Sequence, residues 1–79
     1  MNMNIEIEKI VDDLNNMGFE NKIGLSTKEL AKVLGLSVPS IENFRRNAVG
    51  PIYSTFGKRI CYTKRAVAEY IVLNQVKTL

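Results

Sequence analysis

The chain contains no histidine, no tryptophan and a single cysteine, Cys61. Without histidine there is no imidazole base, no histidine metal ligand and no Ser-His or Cys-His pair to activate a nucleophile. One cysteine cannot form an internal disulfide or a structural zinc site, and the sequence has no glycine-rich phosphate-binding loop. We therefore expect a protein that is not an enzyme, has no catalytic residues and uses no cofactor or metal.

Long apolar runs are also missing, because the longest covers only residues 70–73. A membrane-spanning helix needs about 20 apolar residues, and the first residues lack the basic start and apolar stretch of a signal peptide. A lone cysteine is typical of a reducing compartment. These absences predict a cytoplasmic protein with no membrane partner.

The 79 residues are 46% hydrophobic and 24% charged, which is enough apolar surface for one small globular domain with a single core. The charges are segregated along the chain. Residues 1–20 carry a net charge of −4, whereas residues 43–65 carry six cations and no acid. A segment that holds the whole positive excess is typical of a surface that binds nucleic acid.

The first segment, residues 1–20, has the pattern of an amphipathic helix. Apolar residues recur at spacings of four and three, and Gly18 follows as a helix end. The stripe consists of Met3, Ile7, Ile10, Leu14 and Met17. Two interpretations stay open: the stripe packs on its own chain and enlarges the core, or residues 3–17 mediate self-association.

Two further helices are predicted after a loop at residues 21–24. Ser26 and Glu29 form a capping-box pattern that begins a helix over residues 27–34, and Gly35 ends it. Ser37 is an N-cap for a second helix that runs to about Asn47, with Pro39 in its first turn. The residues expected to fill the angle between these helices are Leu34, Leu36, Ile41 and Phe44, and Ala31 is small where the second helix crosses the first.

In the last third of the chain, the sequence pattern predicts a hairpin and a helix. Residues 52–55 and 59–62 are β-prone and flank a glycine-containing turn. Thr63 then caps a helix with an apolar face, and we expect three aromatic residues around the hairpin to be core: Tyr53, Phe56 and Tyr62. The predicted fold class is therefore mainly α with a small β-hairpin.

Residues 25–71 resemble the excisionase-type winged helix-turn-helix family, which is related to the DNA-binding domain of MerR regulators. The resemblance lies in the opening from Leu25 to Ala31, the turn Gly35-Leu36-Ser37, the pair Gly50-Pro51 and, in the wing, Gly57-Lys58-Arg59-Ile60 with Tyr62. It implies a winged helix-turn-helix DNA-binding domain at 25–76, preceded by the extra helix at 1–20. The family usually has basic residues in place of Thr55 and Cys61, and aspartate in place of Ala66, so this wing is less charged.

The resemblance implies a protein that binds double-stranded DNA in a sequence-specific manner. Its role would be that of an excisionase-like architectural factor or a small transcriptional regulator of a phage or mobile element. Such a protein works in the bacterial nucleoid, with an integrase or another protein as a partner. Two alternatives stay open: a DNA-packaging protein like the small subunit of phage terminases, and a protein-interaction module built on a helix-turn-helix scaffold.

The expected DNA contacts fall into two groups. The exposed face of the second helix would read bases in the major groove, with Arg46 suited to guanine and Asn43 to adenine. The base-reading group is Pro39, Ser40, Asn43 and Arg46, and the group for the DNA backbone or minor groove is Ser37, Arg45, Lys58, Arg59, Lys64 and Arg65. If about five of the six cations neutralise phosphates, log K should fall with log[salt] with a slope of about −4 to −5.

Overall fold

The computed structural model describes residues 3–75, so the predicted domain end at 76 lies just outside the described residues. The fold is mostly helical with a three-stranded antiparallel sheet, which is consistent with the predicted class of mainly α with a small β-hairpin. In chain order the elements are α1 (Met3–Leu14), a π-helical turn (Asn15–Phe19), β1 (Gly24–Leu25), α2 (Thr27–Leu34), α3 (Val38–Arg46), β2 (Ser54–Phe56), β3 (Arg59–Thr63) and α4 (Lys64–Leu73).

The N-terminal helix differs from the prediction in its last turn. It is α-helical only to Leu14, and the π turn that follows contains Gly18 with a φ of 105°. Because the backbone leaves helical geometry at Gly18, the apolar stripe does not continue through this segment: Met17 faces solvent and Phe19 packs against the core instead.

The predicted caps of α2 and α3 are confirmed. Ser26 Oγ accepts a hydrogen bond from the Glu29 backbone N–H at 3.1 Å, and Glu29 Oε1 accepts one from the Ser26 N–H at 2.9 Å. Gly35 ends α2 in the left-handed conformation, with a φ of 71°. Ser37 Oγ then caps α3 by accepting from the Ser40 N–H at 3.2 Å. Local side-chain hydrogen bonds therefore define the turn between these two helices.

The end of α3 is a Schellman motif. The Val49 N–H donates to Phe44 O at 2.9 Å and the Ala48 N–H donates to Arg45 O at 3.2 Å. Ala48 therefore takes a φ of 55°, which is rare for a residue with a Cβ. Gly50 follows with a φ of 85°, and a Cβ added there would lie 2.8 Å from Phe44 Cδ2. Both its conformation and the space around it thus require glycine.

The sheet has the strand order β1-β3-β2, with Leu25 opposite Tyr62 and Phe56 opposite Arg59. The prediction of a loop at residues 21–24 was wrong at its end, because Gly24 pairs with Thr63. A two-residue strand is too short to show a periodic pattern in sequence. The hairpin is confirmed, although β2 begins at Ser54 rather than at residue 52.

The core joins the N-terminal helix to the rest of the chain. Leu14 belongs to the main cluster, together with Leu25, Leu30, Ala31, Ile41, Tyr62 and Val67. A smaller cluster of Ile7, Ala68 and Val72 lies between α1 and α4. The stripe of α1 therefore packs largely on α4 of its own chain.

Three residues expected in the core are exposed. Leu36 is 42% exposed because it lies in the turn between the two helices. Tyr53 is 42% exposed and Phe56 is 55% exposed. The partner of Phe56, Arg59, lies on the face of β3 opposite to Ile60 and Tyr62, which pack in the core, because side chains alternate along a strand. Tyr62, also expected in the core, is buried as predicted.

Candidate nucleic-acid interface

Helix α3 presents a polar face to solvent. Ile41 is fully buried and Phe44 packs against the core, which turns the opposite side of the helix outward. Pro39, Asn43 and Arg46 lie on that side, at the i, i+4, i+7 spacing of one helical face, and all three are exposed. The structure thus places three of the four predicted base-reading residues together on one accessible surface.

Ser40, the fourth base-reading residue, is half-buried and lies beside Ser37. Their hydroxyl oxygens are 2.8 Å apart and share one hydrogen bond, while Ser37 Oγ also caps the helix. Two hydroxyls carry two hydrogens, so one remains for a ligand at the helix N-terminus. This end of α3 can donate one hydroxyl hydrogen in addition to the free backbone N–H groups of its first turn.

The β2–β3 hairpin ends in a two-residue turn, Gly57–Lys58, between the paired residues Phe56 and Arg59. Gly57 has a φ of 63°, the left-handed conformation that such tight turns need. Lys58 and Arg59 are exposed. Within residues 3–75 no ion pair involves Lys58, Arg59 or the Arg46 of α3, so these three cations are free to meet anions.

Arg45, predicted as a phosphate contact, makes its contacts inside the chain. Its Nη1 donates to Thr27 Oγ1 at 3.0 Å and to Tyr62 Oη at 2.9 Å, and its guanidinium lies 6.0 Å from the centre of the Tyr53 ring. Arg45 follows the buried Ile41 by four residues, a spacing that puts both on the same side of the helix. That spacing could have predicted that the Arg45 side chain points toward the core. Arg45 joins α3 to the start of α2 and to the base of the hairpin.

Lys64 was also predicted as a DNA contact, partly because a cation in the first turn of α4 opposes the helix dipole. Its Nζ instead donates to Asn15 Oδ1 at 2.7 Å and to Phe19 O at 3.1 Å. The carbonyl end of a helical segment carries partial negative charge. The charge of Lys64 is therefore stabilised by the end of the N-terminal helical segment, a contact between residues too distant in sequence to be predicted.

Arg65, the remaining predicted cation of α4, forms an exposed ion pair with Glu69, with Nε 3.3 Å from Oε1. Its Nη2 also donates to Asn4 Oδ1 at 3.3 Å. Arg45, Lys64 and Arg65 thus have partners within the chain. The candidate interface reduces to the outward face of α3 and the tip of the hairpin.

Comparisons of the chain with protein-family models, curated proteins and solved structures found no match. Within residues 3–75 there is no group of three or more cysteine or carboxylate side chains that could hold a metal ion. In the same residues no helix has the length and hydrophobicity needed to cross a membrane.

Proposed function

We propose that this chain is a non-enzymatic, sequence-specific double-stranded-DNA-binding protein of the cytoplasm. In this proposal α2 and α3 form a helix-turn-helix and the β2–β3 hairpin forms its wing. The observation that carries it is a set of three exposed cations without ion pairs, Arg46, Lys58 and Arg59, which lie in the acid-free stretch of residues 43–65. The resemblance of residues 25–71 to excisionase-type proteins makes an architectural factor or a small regulator the expected role.

In the proposed complex, α3 enters the major groove with its N-terminal residues toward the base edges. Arg46 is suited to donate two hydrogen bonds to guanine O6 and N7, and Asn43 to pair with adenine N6 and N7. Pro39 and Ser40 lie in the first turn of the helix, where the base edges are approached first. In this arrangement α3 is the element that recognises the base sequence of the DNA.

The hairpin contributes affinity that does not depend on sequence. Lys58 and Arg59 at its tip would contact the phosphate backbone or the edges of the minor groove. Lys58→Ala and Arg59→Ala should weaken binding to cognate and random duplexes alike and reduce the salt slope by about one each. A loss confined to the cognate duplex would contradict this division of roles.

Salt-dependent binding tests the proposal. The affinity for a duplex selected from random sequences would be measured by fluorescence anisotropy over a series of salt concentrations. Three free cations predict that log K falls with log[salt] with a slope of about −3. This is shallower than the sequence-based value because Arg45, Lys64 and Arg65 have partners in the chain.

Lys9→Ala provides the matched control, since Lys9 is an exposed cation on α1 outside the interface. It should leave the slope unchanged. A flat salt response of the unmodified protein, or no duplex binding at about 50 mM salt, would overturn the proposal.

A further inference from the structure

Phe56 is unlike the other aromatic residues of the chain. It is 55% exposed, and within residues 3–75 its ring contacts neither another ring nor a cation. The other five all make such contacts: Phe44 with Tyr70, Tyr53 with Tyr62, and Phe19 with Lys22. An exposed ring without a partner contributes little to the stability of the fold.

That position is the end of the hairpin. Phe56 is the last residue of β2, directly before the turn, and it lies opposite Arg59 in the last pair of the ladder. Lys58 follows within the turn, and both cations are exposed. The hairpin tip therefore combines one large apolar ring with two positive charges, while Gly57 adds no side chain to its width.

We propose that Phe56 is a wedge that enters the minor groove of duplex DNA and unstacks one base step beneath the hairpin. The proposal rests on the DNA-binding function proposed above. Apolar side chains are the ones that other proteins insert between base steps from the minor groove, and the insertion kinks the duplex by about 20–90°. Lys58 and Arg59 would hold the flanking phosphates and so offset the unstacking energy.

The wedge also specifies a kind of target. Pyrimidine–purine steps such as TA and CA unstack most easily, so Phe56 would favour them at a position that no side chain reads by hydrogen bonds. The minor groove is about 6 Å wide, which is too narrow for a two-stranded hairpin with its side chains, so only a side chain at the hairpin tip could enter it. The ring of Phe56 is the large apolar side chain at that tip, next to a turn in which Gly57 adds no side chain.

Unstacking can be measured with 2-aminopurine, whose fluorescence rises when it leaves the base stack. The base would be placed at successive positions of a selected duplex. The unmodified protein should raise the fluorescence at one step, and Phe56→Ala should lose that rise. Phe56→Leu should retain it, since leucine also serves as a wedge. Leu73→Ala removes an exposed apolar side chain from α4 and is the matched control, with the rise unchanged.

The outcomes separate this inference from the proposed function. Salt-dependent duplex binding without a fluorescence rise at any step would overturn the wedge and leave the DNA-binding function standing. Absence of duplex binding would overturn both. If Phe56→Ala weakens binding to single-stranded DNA and leaves the duplex signal intact, the ring stacks on unpaired bases and the wedge is likewise overturned.

Discussion

Two adjacent arginines of α3 have opposite environments. Arg45 is half-buried and donates to Thr27 and Tyr62, whereas Arg46 is exposed. Arg45→Ala would leave the buried Tyr62 hydroxyl without its donor, so we expect the free energy of unfolding to fall by about 1–3 kcal/mol. Arg46→Ala should leave it unchanged and instead weaken cognate DNA binding by about 1–3 kcal/mol.

Urea denaturation and anisotropy on both variants check this pair of expectations. An Arg45→Ala protein as stable as the parent would show that its hydrogen bonds make no net contribution. A loss of stability in Arg46→Ala would contradict its placement on the free surface.

Two residues with a left-handed backbone conformation provide a second matched pair of substitutions. Ala48 and Gly35 have similar φ values, 55° and 71°, and each follows a helix. A Cβ in the left-handed region is unfavourable by about 1–2 kcal/mol. Ala48→Gly should therefore stabilise the protein by about 1 kcal/mol, and Gly35→Ala, where an added Cβ meets nothing within 4 Å, should destabilise it by a similar amount.

Thermal and urea unfolding of the two variants provide the measurement. If Ala48→Gly lowered the stability while Gly35→Ala behaved as expected, the claim that the left-handed conformation of Ala48 is unfavourable would be wrong.

At the scale of elements, we expect the stability contributed by the start of α2 to depend on pH. The pKa of Glu29 lies below its ordinary value of 4.5, because its carboxylate accepts a hydrogen bond from Lys22 and another from the Ser26 backbone N–H. A carboxyl with a lower pKa in the folded state stabilises that state fully above pH 4.5. That contribution is lost as the pH falls through the lowered value.

Glu29→Gln should remove this contribution, because glutamine has no carboxylate to protonate. The free energy of unfolding of the variant should therefore change less than that of the parent on acidification from about pH 7 to about pH 3. Urea denaturation across this range is the measurement, and Glu42→Gln on the exposed face of α3 is the control. Identical pH profiles for Glu29→Gln and the parent would contradict the stabilising role of the Lys22–Glu29 pair.

Helix α1 is the element whose role the sequence left open. Ile7 and Leu14 are both buried against the rest of the chain. We expect Ile7→Ala and Leu14→Ala each to lower the free energy of unfolding by about 2–5 kcal/mol. Met3 and Met17 remain exposed, so their substitution by alanine should have little effect on stability.

The same exposed residues bear on self-association through residues 3–17, which remains a hypothesis. Sedimentation of the parent and of the Met3→Ala and Met17→Ala variants tests it. A dimer that both variants abolish would support it, and a monomer at all concentrations would contradict it.

The predictions from sequence succeeded where the cause is local. Ser26, Ser37 and Thr63 cap the helices that they were expected to begin, because each hydrogen bond joins residues three apart. They failed where the cause is a distant contact. The pairing of Gly24 with Thr63 and the contact of Lys64 with Phe19 depend on how the elements pack, which no local pattern encodes.

At the scale of the whole molecule, the charges are unevenly distributed along the chain. Helix α1, which belongs to the acidic part of the sequence, packs on α4, and two cations of α4, Lys64 and Arg65, contact Asn15 and Asn4. The three exposed cations of the proposed interface, Arg46, Lys58 and Arg59, lie on α3 and at the hairpin tip. In the proposed function, such a distribution would steer an anionic duplex toward one side of the molecule.

That side can be located directly by titrating the uniformly ¹⁵N-labelled protein with a selected duplex and recording the backbone amide resonances. The account predicts shifts concentrated in α3, residues 38–46, and at the hairpin tip, residues 56–59, with the amides of α1 unchanged. Shifts confined to α1, or none on adding duplex, would contradict the central claim that α3 and the hairpin form a DNA-binding surface.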